Sequence, residues 1–480
     1  MFTVFLSVAG ASAAEIRRSL RSLEAQEDCT PEIIMLGQAS GPAEVLDGAE
    51  KTDWRGDYAF FLQAGDSLAG DALRIINDAL DDQSSGPEAS LVIFDHHLRG
   101  GLTRRLPGWD PHLLAWCDYV HRACCLSRAA VAALAGTRPT GLHEALLSLA
   151  ESPQRVLHVP ELLAVIDAEA VVPRAPAMPT GQLPALSLII PNRNGMDLLP
   201  GCLAFLRRVD FPVDLIIVDN ASTDPALWPY YERLRQDFGA RIIPFNQPFN
   251  YAAMINLGVA AATHDLILLL NNDVVIGDVS ELQLAMRYAC RPEVGVVGSV
   301  LRYPDGTVQH AGMVLSWHNG QCDAHHILRH AQDGEQGHIG ALTAVRNFMA
   351  VTGAFQLTRK QVFHSVGGYD EARLPVEHND VDFCLRLRAA GLHVVTIPAL
   401  HMVHDESRTR SKMKTTEARE LAKAARNVMK ARWPSAFDHD PHYNPALREK
   451  HASGWRDWRR PRRKGLMNAI RRIGGFFQGA

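Results

Sequence analysis

No apolar run in this 480-residue sequence approaches the roughly 20 residues needed to cross a bilayer, so an integral membrane protein is not indicated. Paired cysteines are missing as well. Cys29, Cys117, Cys124, Cys125, Cys202, Cys290, Cys322 and Cys384 contain no C-x-x-C pair and no disulfide-framework spacing, which predicts reduced, mostly buried thiols in a cytosolic protein. Nor is there an excess of one charge: the formal net charge of -4 argues against nucleic acid as the main partner. With 47% apolar and 21% charged residues the composition is that of a globular chain, which excludes general disorder. The opening "MFTVFLSVAGASAAE" lacks the positive n-region of a secretory signal, and reads instead as a buried strand, Thr3 to Val8, leading into a helix.

The length exceeds one ordinary core and predicts two or more domains. Proline supplies the break. Four prolines and no hydrophobic periodicity mark residues 168–184 as a linker, between a first domain over 1–167 and a second over 185–435, with a tail over 436–480. The two domains echo each other. "DYAFFLQAGD" lies against "HDLILLLNND" when Asp57 is matched with Asp265, an offset of 208. "EALLSLAESPQRVLHVPELLAVID" from Glu144 runs without a gap against "DFCLRLRAAGLHVVTIPALHMVHD" from Asp382, an offset of 238. This pattern predicts a tandem duplication of one α/β domain. Alternation of strands and helices from "LSLIIP" through "DLIIVDN" and "ARIIPF" to "DLILLL" predicts a mostly parallel, Rossmann-like sheet. Ligands of such sheets bind beyond the carboxyl ends of the strands, where Asn192, Asn194, Asp219, Asn220 and Asn271 to Asp273 fall.

A carboxylate beside two amides at the end of a buried strand suits a hard divalent cation, and Asp273 is therefore a candidate ligand, although a plain polar turn accounts for the triplet equally well. Asp219, ending "IIVD", is an acceptor-only group suited to a base or ribose. Glu377, Asp380 and Asp382 precede a helical pattern; helix-dipole stabilisation explains such clusters, and Asp380 is also a candidate general base. Histidines are dense from His310 to His404, but no spacing supports a zinc site.

In order along the chain, "IIPNRNG", "IIVDNASTD", "FNYAAMINLG", "LLLNNDVV", "YPDGTVQHAGMVL", "VTGAFQLTRKQVFHSVGGYDE", "NDVDFCLRLRAAG" and "HDES" resemble glycosyltransferase family 2, whose members have the GT-A fold and move a sugar from a nucleotide donor. The resemblance covers about Leu186 to Ser411 and is nearest to bacterial members that build O-antigen and other surface polysaccharides, rhamnosyltransferase-like proteins among them. It implies that Pro191, Asn192, Asn194 and Asp219 line a nucleoside pocket, that Asn250 and Asn256 lie close to the donor, and that Asn271 and Asn272 shape the donor site. It implies that "NND" takes the place of the family's Asp-x-Asp, with Asp273 and the late histidine, His404, meeting Mg²⁺ or Mn²⁺. Asp380 matches the catalytic base, the family's usual Glu-Asp pair being Asn379-Asp380 here. Arg408 and Arg410 reach donor phosphate or form a solvated loop. Glu377 and Asp382 are candidates for acceptor contact.

The expectation is an inverting transfer from a nucleotide-diphosphate sugar to a glycan or lipid-linked acceptor. The alternative is a scaffold that binds a nucleotide sugar or carbohydrate without turnover. In the first half Gly65, Leu142 and Ile166 stand at the positions of Asp273, Asp380 and His404, which predicts a degenerate copy. The tail, "GWRDWRRPRRKGLMNAIRRIGGFFQGA", combines basic residues with Trp and aliphatic ones; it suits an anionic membrane surface on the cytoplasmic side, or a disordered or packed tail.

Overall fold

The computed structural model describes residues 1–37, 53–82, 88–134, 137, 139–151, 155–169, 171–178, 181–318, 321–332, 334–406 and 416–447. Two compact units result. One is Met1–Arg174 together with the chain from Pro441 to the last described residue, Leu447; the other is Ala175–Asp440. No helix among the described residues is long and apolar enough to cross a membrane. Arg408, Arg410 and the basic sequence after residue 447 lie outside the described residues.

In the first unit the strands are β1 (Phe2–Ser7), β2 (Glu32–Leu36), β3 (Tyr58–Gln63), β4 (Ser67–Leu68), β5 (Leu91–Leu98), β6 (Thr103–Arg104), β7 (Cys124–Ser127) and β8 (Val156–Ile166). They form one sheet in the order β2-β1-β3-β7-β5-β8-β4, with β6 on β5. The pairs β2/β1, β1/β3 and β5/β8 are parallel, and β7 runs antiparallel between β3 and β5. The helix Ala13–Glu24 starts where the sequence demands it. Ser12 and Glu15 form a reciprocal capping box that satisfies two otherwise unpaired backbone N–H groups.

The second unit contributes β9 (Leu186–Asn192), β10 (Val213–Asp219), β11 (Arg241–Pro244), β12 (Leu266–Leu270), β13 (Val274–Ile276), β14 (Val294–Ser299), β15 (Leu301–Arg302), β16 (Val308–His310), β17 (Met313–His318), β18 (Gln321–His326), β19 (Arg346–Asn347), β20 (Phe355–Arg359), β21 (His393–Ile397) and β22 (Met402–His404). Its main sheet is ordered β11-β10-β9-β12-β20-β14-β21-β19. β9 to β12 run parallel, but β20 enters antiparallel between β12 and β14, so the sheet is mixed rather than purely Rossmann-like. A short second sheet, β13-β22-β15-β16, lies beyond the end of β12, and β17 with β18 forms a separate hairpin.

Burial explains the placing of β12. All five of its residues are buried, as a strand with neighbours on both edges and packed faces requires. Ile189, Ile216, Val218, Ile255, Ile267 and Leu269 share one core with Phe363, Tyr369 and Phe383. Gly258 makes the contact of the helix Tyr251–Ala261 with β9 close: a Cβ there would lie 2.4 Å from Ile189 Cγ2.

Each sheet is also clamped at the amino end of its first parallel strands. In the second unit the Ser187 hydroxyl donates to Asp214 (2.9 Å), the backbone N–H of Thr263 donates to Asp214 (3.0 Å), and Lys360 Nζ donates to Ala262 O (2.7 Å). In the first, the Thr3 hydroxyl donates to Glu32 (2.7 Å), the N–H of Arg55 donates to Glu32 (2.7 Å), and Arg128 Nη2 donates to Trp54 O (2.5 Å).

Candidate active site

The chain turns polar where β12 ends. Asn271 donates its N–H to Ala354 O (3.0 Å) and accepts from the N–H of Val274, a turn that starts β13 and swings Asp273 to the sheet edge. β13 pairs antiparallel with β22, with Val274 opposite His404. That register puts Asp273 Oδ1 3.2 Å from His404 Nε2, with the two side chains only 4% and 9% exposed. Asp405 N–H donates to Asp273 O (3.1 Å), tying the two segments again. Two residues 131 positions apart in sequence thus meet because a two-strand ladder brings them together.

Behind the imidazole stands Gln309 of β16, which sequence reasoning passed over. His404 Nδ1 lies 2.6 Å from Gln309 Oε1, while Gln309 Nε2 donates to His404 O and to Glu406 Oε2, each at 3.3 Å. An amide with its nitrogen so engaged presents its oxygen as an acceptor, which places the ring proton on Nδ1 and directs Nε2 at Asp273. A carboxylate oxygen and an imidazole nitrogen facing each other form a donor pair that suits Mg²⁺ or Mn²⁺. No group of three or more His, Cys, Asp or Glu with metal-holding geometry occurs among the described residues, so a cation here needs further oxygens, such as those of a diphosphate. The histidine-rich stretch pairs internally instead. His310 Nδ1 contacts His326 Nδ1 at 3.1 Å, and burial followed by the neighbouring His326 and His404 holds the His310 pKa well below its ordinary value.

Asp380 lies in the first turn of the helix Asn379–Ala389, after His378 in a left-handed conformation at the cap (φ 61°). Its Oδ2 accepts the N–H of Gly353 (2.8 Å) and its Oδ1 the N–H of Val381 (2.8 Å). Asn379 is buried and donates to Leu374 O and Val376 O, holding the turn before the helix. Tyr251, also missed from sequence, lies close to both acids. Burial, then the charges of Asp380 and Asp273, push its hydroxyl pKa up.

The amides and acids assigned to the nucleoside side are spent to different degrees. Asn192, buried at the end of β9, accepts from Asn272 Nδ2 (2.7 Å) and donates to the Tyr231 hydroxyl (2.8 Å). Gly195 passes so close that a Cβ there would lie 2.4 Å from Asn192 Oδ1. Pro191 is buried in β9 opposite Val218. Asp219 ends β10 and takes Ser222 N–H (2.9 Å), the Ser222 hydroxyl (2.6 Å) and the Tyr231 hydroxyl (2.6 Å), so it organises this corner from within. Asn194, at φ 50°, accepts from Thr223 N–H and Asp224 N–H and fixes one loop to another.

Four further candidates differ in how far the protein itself engages them. Asn250 caps the helix Tyr251–Ala261 through Ala253 N–H (2.9 Å) and donates to Glu371 O (3.0 Å), while Asn256 exchanges bonds with the backbone of Tyr369, so both amides hold the 369–371 loop. Asp382 is fully buried. It accepts from Arg386 Nε (2.8 Å), Arg432 Nη1 (2.6 Å) and Trp433 Nε1 (2.9 Å), a set that joins two helices and leaves nothing for an acceptor. Glu377 is exposed in the loop before the Asp380 helix.

After β3 in the first unit the polar residues have other partners. Asp66, one place after Gly65, is fully buried and takes both Nε (2.6 Å) and Nη2 (3.0 Å) of Arg122 along with Asp167 N–H (2.7 Å). Arg99 pairs with Asp167 at 2.9 Å. Guanidinium groups balance these acids.

Residues 187–360 match the model of glycosyl transferase family 2. An uncharacterized protein of Sinorhizobium fredii is 34% identical over 267 residues, 55% of this chain and 29% of that protein. The O-antigen biosynthesis protein RfbC of Myxococcus xanthus is 30% identical over 445 residues, 82% of this chain and 34% of RfbC. An N-acetylglucosaminyl-diphospho-decaprenol L-rhamnosyltransferase of Mycobacterium tuberculosis is 24% identical over 221 residues, 41% of this chain and 67% of that enzyme. The chain spans about a third of the length of the first two relatives.

Proposed function

From the premise that this chain carries a glycosyltransferase family 2 domain, we propose that its second unit is an inverting, cation-dependent glycosyltransferase of bacterial surface-polysaccharide assembly. The donor is a nucleotide-diphosphate sugar and the acceptor a hydroxyl of a glycan or lipid-linked saccharide. The observation that carries this reading is the 3.2 Å approach of Asp273 to His404 Nε2 at the end of β12, in the same unit as an Asp380 carboxylate steered by two backbone N–H groups.

Asp380 takes the proton of the acceptor hydroxyl while that oxygen forms a bond to the anomeric carbon. The bond from that carbon to the diphosphate breaks on the opposite face, so the nucleoside diphosphate leaves with the bonding pair and configuration inverts. Asp273 and His404 would hold a Mg²⁺ or Mn²⁺ ion, which when bound neutralises charge growing on the diphosphate. Asn192 and Asn272 join the ends of β9 and β12 and shape the donor side, with Asp219 stiffening the nucleoside corner through Tyr231.

The first unit reads as a degenerate copy of the same GT-A-like domain. Support comes from the shared strand sequence along the sheets, with β2-β1-β3-β7-β5-β8 matching β10-β9-β12-β20-β14-β21 in order and direction. It comes also from the repeated amino-end clamp of Thr3, Glu32 and Arg55 in one and Ser187, Asp214 and Thr263 in the other. We infer a cytoplasmic protein that reaches lipid-linked acceptor at the membrane's inner face, the basic tail from Gly454 supplying the contact.

A panel of UDP-, dTDP- and GDP-sugars with Mn²⁺ tests the activity by release of nucleoside diphosphate. Wild-type chain should release nucleotide in the presence of acceptor. Asp380→Asn should be slower by about 10²-fold or more, the usual weight of a general base. Retained rate in that variant would remove the base assignment, and binding without release in wild type would leave a non-catalytic scaffold.

A further inference from the structure

We propose that Tyr251 is a positioning residue that ties the Asp380 carboxylate to the polar step at the end of β12; the inference rests on the reading of Asp380 as the base. Tyr251 opens the helix Tyr251–Ala261. Its hydroxyl oxygen lies 3.0 Å from Asn271 Oδ1 and 2.8 Å from Gly353 O. Gly353 in turn donates its N–H to Asp380 Oδ2 at 2.8 Å. The three are packed together as well as bonded, because a Cβ on Gly353 would sit 3.4 Å from Asp380 Cβ and 3.6 Å from the Tyr251 hydroxyl.

The direction of the chain of bonds follows from counting hydrogens. A hydroxyl has one hydrogen and cannot donate to two oxygens, and the Gly353 carbonyl has none to give. Amide oxygen and nitrogen occupy near-equivalent places, so the satisfied arrangement runs from the Asn271 amide N–H to the Tyr251 oxygen, and from the Tyr251 hydrogen to Gly353 O. Tyr251 keeps that hydrogen. Burial and the nearby charges of Asp380 and Asp273 hold it in the neutral form.

Gly353 has no side chain to fix its backbone, and glycine is the residue with the most conformational freedom to lose. Its carbonyl is held by Tyr251 and its N–H is the one that aims Asp380. A second tie, Asn271 N–H to Ala354 O at 3.0 Å, runs beside the first. The base is therefore aimed by a loop residue, Gly353, that is tied to the polar step carrying Asp273. Removing one hydroxyl frees the carbonyl, and the loosened φ and ψ of Gly353 let its N–H, in the preceding peptide group, turn away from Asp380.

The experiment compares full-length wild type with Tyr251→Phe by three readouts. Amide hydrogen exchange at Gly353, in protein without ligand, should quicken about 10-fold or more while the strand amides of β12 stay unchanged. With a donor found by the nucleotide-release panel, kcat should fall about 10-fold or more at nearly constant donor KM, the signature of an interaction that matters in the transition state. Calorimetric binding of UDP with Mn²⁺ should change by less than about 3-fold, because the Asn271 backbone stays tied to Ala354 O and Val274 N–H without the hydroxyl. Unchanged exchange at Gly353 overturns the inference whatever the activity. So does wild-type kcat in the variant, or a rise in exchange throughout the second unit, which would make Tyr251 a general core residue. If wild type itself turns over no donor, the base reading fails, and Gly353 exchange still decides whether Tyr251 holds the loop.

Discussion

Gln309 Oε1 stands 2.6 Å from His404 Nδ1, and this contact selects the nitrogen that His404 turns toward Asp273. Without it the ring can flip or exchange tautomers, and the Nε2 lone pair is no longer presented to the site. Gln309→Ala should weaken Mn²⁺ binding about 10-fold, the lower end for loss of a group that orients a metal-binding histidine. Electron paramagnetic titration of Mn²⁺ in the presence of UDP checks this directly. Affinity equal to wild type would assign Gln309 a packing role only.

Asp273 and Asp66 each follow the end of a buried strand, β12 and β3, but should respond in opposite ways. Asp273→Ala should lower Mn²⁺-dependent nucleotide release about 10²-fold or more and leave thermal stability near wild type. Asp66→Ala strips a buried carboxylate from Arg122 and from the Asp167 N–H, and should cost about 3 kcal/mol of stability at little loss of turnover per folded molecule. Denaturant unfolding beside the release assay separates the two. Equal loss of turnover in both variants would contradict the degenerate-copy reading.

Acid should weaken the fold before it reaches the carboxylate range. His96 is fully buried with Nε2 3.3 Å from His121 Nδ1, and burial, then His121 and Arg104, holds its pKa well below the ordinary value; His310 is shifted the same way. Both are neutral in the folded chain, whereas the unfolded chain takes up protons near pH 6.5. The unfolded state therefore binds more protons below that pH, so the stability is complete above about 6.5 and declines as pH falls through it. Scanning calorimetry from pH 8 to pH 5 should show this decline, with a shallower slope in His96→Gln. A slope that does not change in the variant would show that other groups set it.

Asp382 should behave as a structural acid. Asp382→Asn keeps the shape but removes the charge that faces Arg386 and Arg432, and should lower the melting temperature by several degrees with kcat within about 3-fold of wild type. A drop in kcat with unchanged melting would return Asp382 to the acceptor site.

The sequence made the strand ends legible because they follow from two simple signals, buried aliphatic runs and the polar residues that stop them. β12 ends at Leu270 as "LLLNND" suggests, and Asp273 and His404 meet although the pattern of neither predicts the other. What could not be read was the use made of each amide. Asn250 and Asn256 look like ligand-facing groups in a motif, yet their bonds go to a loop more than a hundred residues later, which only tertiary contact decides. Gln309 and Tyr251 sat inside quoted segments without any spacing or charge to single them out. The antiparallel entry of β20 was hidden for the same reason: its residues read as a buried strand in either direction.

The chain's last described residues give the first unit a debt to the far end of the molecule. Asn444 Nδ2 donates to both oxygens of Asp95 (2.9 and 3.0 Å) and to Leu106 O (2.9 Å), and Gly108 N–H donates to Pro441 O (2.7 Å). Asp95 is fully buried, with Arg105, Leu106 N–H and His158 completing its shell. During synthesis, then, some 270 residues must follow Arg174 before this pocket can close. A fragment cut at the proline-rich linker carries the open pocket permanently, and separate expression of the two halves should leave the first aggregation-prone until a peptide bearing Asn444 is supplied.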